Sequence, residues 1–306
     1  MFNFLLNILT IGAVLSTPIA QNIQPVIKIV NTYKNSPSTE IPVRLENESL
    51  GLRLSASSVY VLDKESSFSL YSKNSSKVLS AASITKLMTA LVFLDTMPDW
   101  DEVYTVKTSD ARSGNRVYIF SGEQITVRDL FSIMLVASSN EAAIALVNST
   151  GIPLGDFINL MNKKAEDMQL RFTEFYDPTG LDYKNSSTAF DISILAREAF
   201  SRKEIADAAK QEAVEFTIIN KGEVRTARNT NKLLDGFLND KELGYSIIGA
   251  KTGYLDEVGY NMTIMVMKEN HPVVITILGA RAEEERLHDV KGIADWVFRN
   301  YRWRHG

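Results

Sequence analysis

The chain has 306 residues, of which 45% are apolar and 23% are charged, which fits one large or two modest globular domains and excludes a disordered or fibrous chain. Lys and Arg total 33 against 37 for Asp and Glu, so the net charge of -4 favours neither nucleic acid nor an anionic membrane surface as a partner. The sequence contains no cysteine, which excludes disulfides, thiolate catalysis and cysteine-bound metals.

Residues 1–20 form an apolar run of signal-peptide length that ends in the small residue Ala20. No Lys or Arg precedes Lys28, so an uncleaved N-terminal anchor is the alternative, and a buried helix fits the unpatterned polar stretch that follows less well. We therefore expect export to the periplasm or another extracytoplasmic part of the cell envelope, with membrane attachment through the N-terminus if the segment is retained. Residues 21–50 are polar and contain three prolines, which predicts a linker.

Regular patterns begin near residue 57 and predict a folded domain over residues 51–306. Two β-rich runs flank the polar turn at residues 64–67, which predicts a hairpin. Segments with the apolar spacing of helices follow at residues 83–97, 126–137, 141–147, 154–169 and 190–209. Residues 174–187 are rich in turn formers and predict a long surface loop.

The C-terminal third changes character. Its β-rich apolar runs are separated by polar turns, as in an antiparallel meander, and lie at residues 212–219, 245–252, 261–268 and 272–280. The chain closes with a predicted helix from Glu284 to Trp303. Strands at both ends of the sequence around a helical middle indicate an α+β fold, with one antiparallel sheet flanked by helices and an all-α lobe. A functional site is expected in the cleft between the sheet and this lobe.

Ser83 and Lys86 lie three residues apart at the start of an apolar helix, so the hydroxyl and the amine fall on one face within contact range. Burial and the positive end of the helix dipole both lower the pKa of such a lysine, which allows its neutral amine to act as a base. This spacing suits a nucleophile and its base, although it also arises often by chance.

Two further short sequence patterns could place polar side chains in a substrate-binding cleft. Ser138 and Asn140 flank a predicted helix break, from which a hydroxyl and an amide can relay a proton or hold a substrate, although such a pattern alone more often marks a helix N-cap. Lys251 and Thr252 end a β-rich run, where a cation and a hydroxyl can receive a carboxylate, and Gly253 permits close backbone approach. The alternative for the second pattern is a solvated strand end.

Taken together and in this order, Ser-x-x-Lys, Ser-x-Asn and Lys-Thr-Gly resemble the three-motif signature of penicillin-binding proteins and serine β-lactamases. The surrounding sequence resembles the low-molecular-mass D-alanyl-D-alanine carboxypeptidases over about residues 55–303, in stretches such as SAASITKLMTALV, GEQITVRDLFSIMLVASSNEAA, TEFYDPTGLD and GAKTGYLDEVGYN. The resemblance implies a β-lactamase/transpeptidase-like fold and a serine peptidase of peptidoglycan biosynthesis with no metal or cofactor. Its substrate would be the peptidoglycan stem peptide, and β-lactams would inhibit it covalently.

The resemblance also implies the roles of the catalytic residues. Ser83 would be acylated by the penultimate D-alanine carbonyl, Lys86 would accept its proton, and Ser138 would relay that proton. Water would then release the acyl group from the enzyme.

Substrate binding is implied in the same way for the second and third motifs. Asn140 would hold the peptide, while Lys251 and Thr252 would bind the terminal carboxylate beside Gly253. The backbone N–H of Tyr254 would form an oxyanion hole with that of the nucleophile.

Three alternatives remain open from the sequence. A D,D-endopeptidase of cross-linked peptidoglycan is supported by Tyr254-Leu255, where carboxypeptidases often have His-Thr, and by the chain end at Gly306, where many carboxypeptidases continue into a further β-domain and an amphipathic anchor. A β-lactamase would need a deacylating base, usually a Glu in an E-x-x-L-N loop, and residues 174–177 do not fit that pattern. A non-catalytic cell-wall binding or β-lactam sensing module would commonly have lost one of the predicted residues.

Overall fold

The computed structural model describes residues 41–114 and 116–304, all of which fall within one compact unit. Its strands are β1 (Ile41–Arg44), β2 (Ser58–Asp63), β3 (Ser69–Lys73), β4 (Leu79–Ser80), β5 (Val103–Thr105), β6 (Gln124–Thr126), β7 (Ser186–Ser187), β8 (Ala213–Ile218), β9 (Glu223–Arg228), β10 (Tyr245–Leu255), β11 (Gly259–Lys268), β12 (His271–Ala280) and β13 (Tyr301–Arg304). Its α-helices are α1 (Lys86–Asp95), α2 (Val127–Val136), α3 (Asn140–Ser149), α4 (Leu154–Asp167), α5 (Ala189–Ser201), α6 (Lys203–Ala209) and α7 (Glu283–Asn300).

A five-stranded antiparallel sheet in the order β10-β11-β12-β2-β3 forms the centre of the fold. It combines strands from both ends of the chain, which confirms the predicted α+β architecture. The predicted meander is confirmed only for β10 to β12, because β8 pairs with β9 in a separate two-stranded sheet. The helices between β4 and β8 form the predicted α-helical lobe.

The sheet separates two apolar layers, and strand alternation explains this separation. In β2, Val59 and Val61 belong to the layer that α7 covers, whereas Tyr60 and Leu62 face the helical lobe. Successive side chains of a strand point to opposite faces of the sheet, so both faces of β2 are buried. The lobe therefore packs on one face of the sheet and the C-terminal helix on the other.

One predicted helix is divided. The pattern over residues 190–209 predicted a single helix, but Arg202 has an extended backbone (φ -83°, ψ 119°) and separates α5 from α6. The break has a packing reason, because α5 contacts β2 and β12 in the middle of the sheet while α6 contacts β10 at its edge.

The secondary structure at both ends of the described chain differs from the prediction, because the two ends pair with each other as strands. β1 pairs antiparallel with β13, with Ile41 opposite Arg304. The predicted C-terminal helix therefore stops at Asn300 instead of Trp303, and the predicted linker is wrong where β1 forms. Interstrand hydrogen bonds between distant segments override local helix propensity here.

The predicted signal peptide and the linker as far as residue 40 lie outside the described residues. Within residues 41–114 and 116–304, no helix is both long enough and apolar enough to cross a membrane.

Candidate active site

The predicted nucleophile lies on a tight turn before α1. Residues 82–85 form one 3-10 turn, with Ser83 half-buried and Ala82 in the left-handed region at φ 49°. Gly180 packs directly against this turn, since a Cβ atom added at Gly180 would lie 1.9 Å from the carbonyl oxygen of Ala82. Only glycine fits this contact, which fixes the turn from the outside.

Lys86 is fully buried and is held by three hydrogen bonds. Its Nζ lies 2.9 Å from Ser83 Oγ, 2.7 Å from Asn140 Oδ1 and 2.6 Å from the carbonyl oxygen of Thr179. Burial lowers the pKa of Lys86 to about 7, and the negative charges of Asp177 and Glu141 limit that decrease. A large fraction of the amine is therefore neutral near pH 7 and lies at hydrogen-bond distance from the hydroxyl.

The second predicted motif forms the turn between α2 and α3. Ser138 is in the left-handed region at φ 58°, and Ser139 caps α3 by accepting a hydrogen bond from the N–H of Ala142 at 3.1 Å. Asn140 accepts a hydrogen bond from Lys86 and donates one to the carbonyl oxygen of Ser113 at 3.2 Å. The alternative prediction for this pattern, a helix N-cap, is thus correct for Ser139. Its neighbours Ser138 and Asn140 line the cavity described below.

The third motif lies on β10, at the edge of the sheet next to the turn of Ser83. A Cβ atom added at Gly253 would lie 3.1 Å from the carbonyl oxygen of Ala81 and 3.2 Å from the backbone nitrogen of Ser83. Gly253 thus lets β10 approach the turn of Ser83 closely. Thr252 donates a hydrogen bond from Oγ1 to Thr230 Oγ1 at 2.7 Å.

Lys251 is buried beside the second motif. Its Nζ donates a hydrogen bond to Ser138 Oγ at 2.8 Å, and only 1% of the residue is exposed. Burial lowers its pKa well below the usual value, and the positive charges of Lys86 and Arg286 lower it further.

These elements enclose a cavity of about 500 Å³. Six of the eight predicted site residues line it, namely Ser83, Ser138, Asn140, Thr252, Gly253 and Tyr254. The other two, Lys86 and Lys251, lie buried next to these residues and contact them. Tyr254 is 48% exposed and its ring packs on that of Tyr260, with 4.5 Å between the centroids.

The loop over residues 174–187 contributes to the site, so its prediction as a surface loop is wrong in part. Asp177 accepts hydrogen bonds from the backbone N–H groups of Thr179, Gly180 and Asp182. These bonds orient the Thr179 carbonyl toward Lys86, and Asn185 is fully buried in the same loop. Asp-Pro-Thr-Gly indicated a tight turn from sequence, but not its burial against α1.

Sequence reasoning also missed three other residues. Thr230 and Arg286 line the cavity, and Glu141 lies buried behind it. Arg286 is 3% exposed, donates to Glu283 at 3.2 Å, and has no hydrogen-bond partner for Nε within the described residues. An arginine beside the apolar stripe of the last helix was the only sequence signal for it.

Comparison with known proteins agrees with this geometry. Residues 45–282 match the family described as D-alanyl-D-alanine carboxypeptidase. A D-alanyl-D-alanine carboxypeptidase of Bacillus subtilis is 28% identical over 252 residues, which are 80% of this chain and 63% of that protein, so this chain spans less than two thirds of that relative. A D-alanyl-D-alanine endopeptidase of Haemophilus influenzae is 33% identical over 213 residues, which are 69% of this chain and 70% of that protein.

The fold resembles that of a solved structure. The crystal structure of the Streptomyces K15 DD-transpeptidase is 24% identical and superposes with a TM-score of 0.75. The match covers 82% of this chain and 100% of the transpeptidase. This confirms the predicted transpeptidase-like fold.

Proposed function

Because the chain belongs to the D-alanyl-D-alanine carboxypeptidase family, we propose that it is a serine peptidase that cleaves the D-alanyl-D-alanine bond of peptidoglycan stem peptides through an acyl-enzyme on Ser83. One observation carries this proposal: the buried amine of Lys86 lies 2.9 Å from Ser83 Oγ at the wall of the cavity. A neutral amine at that distance is a general base in contact with its nucleophile.

Acylation would begin when Lys86 takes the proton of Ser83 and Ser83 Oγ attacks the carbonyl carbon of the penultimate D-alanine. The backbone N–H groups of Ser83 and Tyr254 would stabilise the oxyanion, as the close approach of Gly253 to the Ser83 nitrogen supports. The C–N bond then breaks, and Ser138 would relay to the leaving amine the proton that Lys86 took from Ser83. Water hydrolyses the ester and restores the hydroxyl.

The leaving group would be held by its carboxylate. Thr252 offers a hydroxyl, Arg286 lines the same cavity, and Lys251 directly precedes Thr252 on β10. Lys251 has a lowered pKa in the free protein, and an incoming carboxylate favours its charged form again.

An endopeptidase acting on cross-linked stem peptides is the second candidate. The 33% identity to an endopeptidase supports it, as does Tyr254 at the position where carboxypeptidases often have His. Both activities would proceed through the same acyl-enzyme. They differ in the leaving group, which is free D-alanine for a carboxypeptidase and a residue of the cross-linked stem peptide for an endopeptidase.

The proposal extends to inhibitors and location. β-Lactams resemble the D-alanyl-D-alanine unit and would acylate Ser83 as well. Peptidoglycan lies outside the cytoplasm, so we propose residues 1–20 as the export signal or membrane anchor, residues 21–40 as a linker and the remainder as the catalytic domain.

Incubation with a fluorescent penicillin tests the acyl-enzyme, with intact-mass measurement of the wild type and of Ser83→Ala. We expect one stable adduct on the wild type and none on the variant. An absence of adduct on both proteins would overturn the proposal and favour a non-catalytic binding module, and rapid turnover of the penicillin would favour a β-lactamase. Release of D-alanine from a pentapeptide, compared with cleavage of a cross-linked dimer, distinguishes the two peptidase candidates.

A further inference from the structure

Glu141 is a buried carboxylate for which the mechanism above has no role. It is the second residue of α3, directly after Asn140, and only 2% of it is exposed. Its Oε2 accepts a hydrogen bond from Ser139 Oγ at 3.0 Å, while its Oε1 has no hydrogen-bond partner within the described residues.

A helix N-terminus alone does not explain this residue. An acidic residue in the first turn stabilises the helix dipole from a hydrated position, without the cost of burial. Removing a carboxylate from water costs several kcal/mol unless another charge compensates for it. The single hydrogen bond from the Ser139 hydroxyl does not offset the cost of burying the Glu141 carboxylate. A nearby cation is therefore needed to stabilise its charge.

That cation is Lys86, whose Nζ donates a hydrogen bond at 2.7 Å to Asn140, the residue directly before Glu141 in α3. The negative charges of Asp177 and then of Glu141 favour its charged form. The other charged groups around Lys86 are Asp177 on the loop before α5, and Lys251 on β10 with Arg286 beyond it. The charge of Asp177 is already dispersed over hydrogen bonds from Thr179, Gly180 and Asp182. Within the described residues, the carboxylate of Glu141 accepts one hydrogen bond, so fewer donors stabilise its charge than that of Asp177.

We propose that Glu141 is a positioning residue that holds the Ser138–Asn140 turn through Ser139 and adds to the negative charge of Asp177 beside Lys86 when Lys86 takes the proton of Ser83. This inference rests on the proposed acyl-enzyme function. It accounts for a carboxylate buried behind the cavity, because a protonated Lys86 is a buried cation that Asp177 alone would otherwise compensate.

The experiment measures the rate of acylation by a fluorescent penicillin from pH 5 to pH 9. In Glu141→Gln, the lost negative charge makes the protonated form of Lys86 less stable. The acid limb of the profile, where the acylation rate rises with pH, should therefore move to lower pH by about one unit. The plateau rate should fall about tenfold, because an amine with a lower pKa is a weaker base.

Two controls separate charge from architecture. Glu141→Asp keeps the charge, and its acid limb should stay close to that of the wild type. Glu123→Gln removes another fully buried carboxylate, one that pairs with Arg225 and does not line the cavity, and its acid limb should not move. If the buried amide of Glu141→Gln impairs folding, the same pH profile is measured with Glu141→Ala, whose side chain has no polar group.

The outcomes distinguish this inference from the function on which it rests. A Glu141→Gln profile with a lower plateau but an unmoved acid limb would show a helix-capping role only and overturn the proposal. An unchanged profile would overturn it equally. A wild type that is not acylated at any pH would overturn the acyl-enzyme function, and the role of Glu141 with it.

Discussion

Two buried lysines with lowered pKa values set the chemistry of the site at the residue scale. Burial disfavours both ammonium groups, and the positive charge of Lys86 further disfavours that of Lys251. Their neighbours separate their roles. Lys86 is at hydrogen-bond distance from the hydroxyl of Ser83, the proposed nucleophile, while Lys251 contacts Ser138.

The pKa of Lys86 predicts the pH dependence of acylation. In the proposed mechanism only the neutral amine of Lys86 can accept the proton of Ser83, so acylation would require Lys86 to be deprotonated. With the pKa lowered to about 7 by burial, the acylation rate should rise with pH and level off above about pH 7. Below that value it should fall about tenfold for each pH unit. Stopped-flow measurement with a fluorescent penicillin provides the profile.

Lys184→Gln is the matched control for this profile. Lys184 is an exposed lysine beside Tyr176 on the loop next to the site, and its removal should leave the acid limb unchanged. A wild-type rate that is constant from pH 5 to pH 8 would contradict the assignment of Lys86 as the base.

At the scale of elements, the site depends on two strained turns. Ala82 before the nucleophile and Ser138 in the second motif both have left-handed backbones, which cost roughly 1–2 kcal/mol each for residues with a Cβ atom. Neighbouring elements hold these turns in place. Gly180 packs on the turn of Ala82. The turn of Ser138 is held by the hydrogen bond from Lys251 to Ser138 and by the N-cap hydrogen bond of Ser139.

Gly180→Ala should disrupt the first turn. Its added Cβ would overlap the Ala82 carbonyl, and a φ of 82° is unfavourable for alanine. We expect the acylation rate to fall at least about tenfold, since small displacements of a nucleophile are costly, and the melting temperature to fall. Thermal unfolding and penicillin acylation measure the two effects.

Gly292→Ala is the control for that variant. Gly292 lies within α7, and an added Cβ would meet no atom within 4 Å. Because alanine is the better helix former, this variant should be more stable by roughly 0.5–1 kcal/mol, with unchanged acylation. A Gly180→Ala protein with wild-type acylation would show that the contact does not position Ser83.

At the scale of the whole molecule, a buried ion cluster joins distant segments. Glu123, which is 1% exposed and precedes β6, receives two hydrogen bonds from Arg225 on β9 at 2.7 and 2.8 Å and one from Lys221 at 2.8 Å. Burial alone would raise the pKa of Glu123, but the bonds from Arg225 and Lys221 outweigh it and lower the pKa to about 2. The β8–β9 hairpin is thus attached to the helical lobe by charge as well as by apolar packing.

Arg225→Ala should destabilise the fold by about 2–3 kcal/mol at pH 7, because it leaves a buried carboxylate with Lys221 as its remaining cation. Urea denaturation measures this effect. The ion cluster stabilises the folded state above the unfolded pKa of about 4.5, and that contribution is lost as the pH falls toward 2. The difference between wild type and variant should therefore shrink over that range.

Arg299→Ala tests the specificity of that effect. Arg299 pairs with Asp295 on the surface of α7, with 76% and 43% of the two side chains exposed. Exposed pairs contribute about 0–1 kcal/mol, so this variant should stay close to the wild type. Equal losses for both arginines would contradict the role of the buried cluster.

The sequence by itself determined the features that depend on neighbours along the chain. Apolar spacing predicted α1 to α4, and two β-rich runs around a polar turn predicted the β2–β3 hairpin. Thr126 is the N-cap of α2, because its Oγ1 accepts a hydrogen bond from the N–H of Asp129 at 3.1 Å. The spacing of Ser83 and Lys86 predicted their contact, since three residues of helix bring two side chains onto one face.

Only the tertiary structure decided how distant segments meet. Asn140 reaches Lys86 across 54 positions of sequence, Lys251 reaches Ser138 across 113, and β1 joins β13 from opposite ends of the described chain. Burial of Glu141 likewise depends on the packing of α3 and not on its own sequence pattern. Such contacts follow from the free energy of packing the whole core, which no local pattern encodes, and they turn three short motifs into one site.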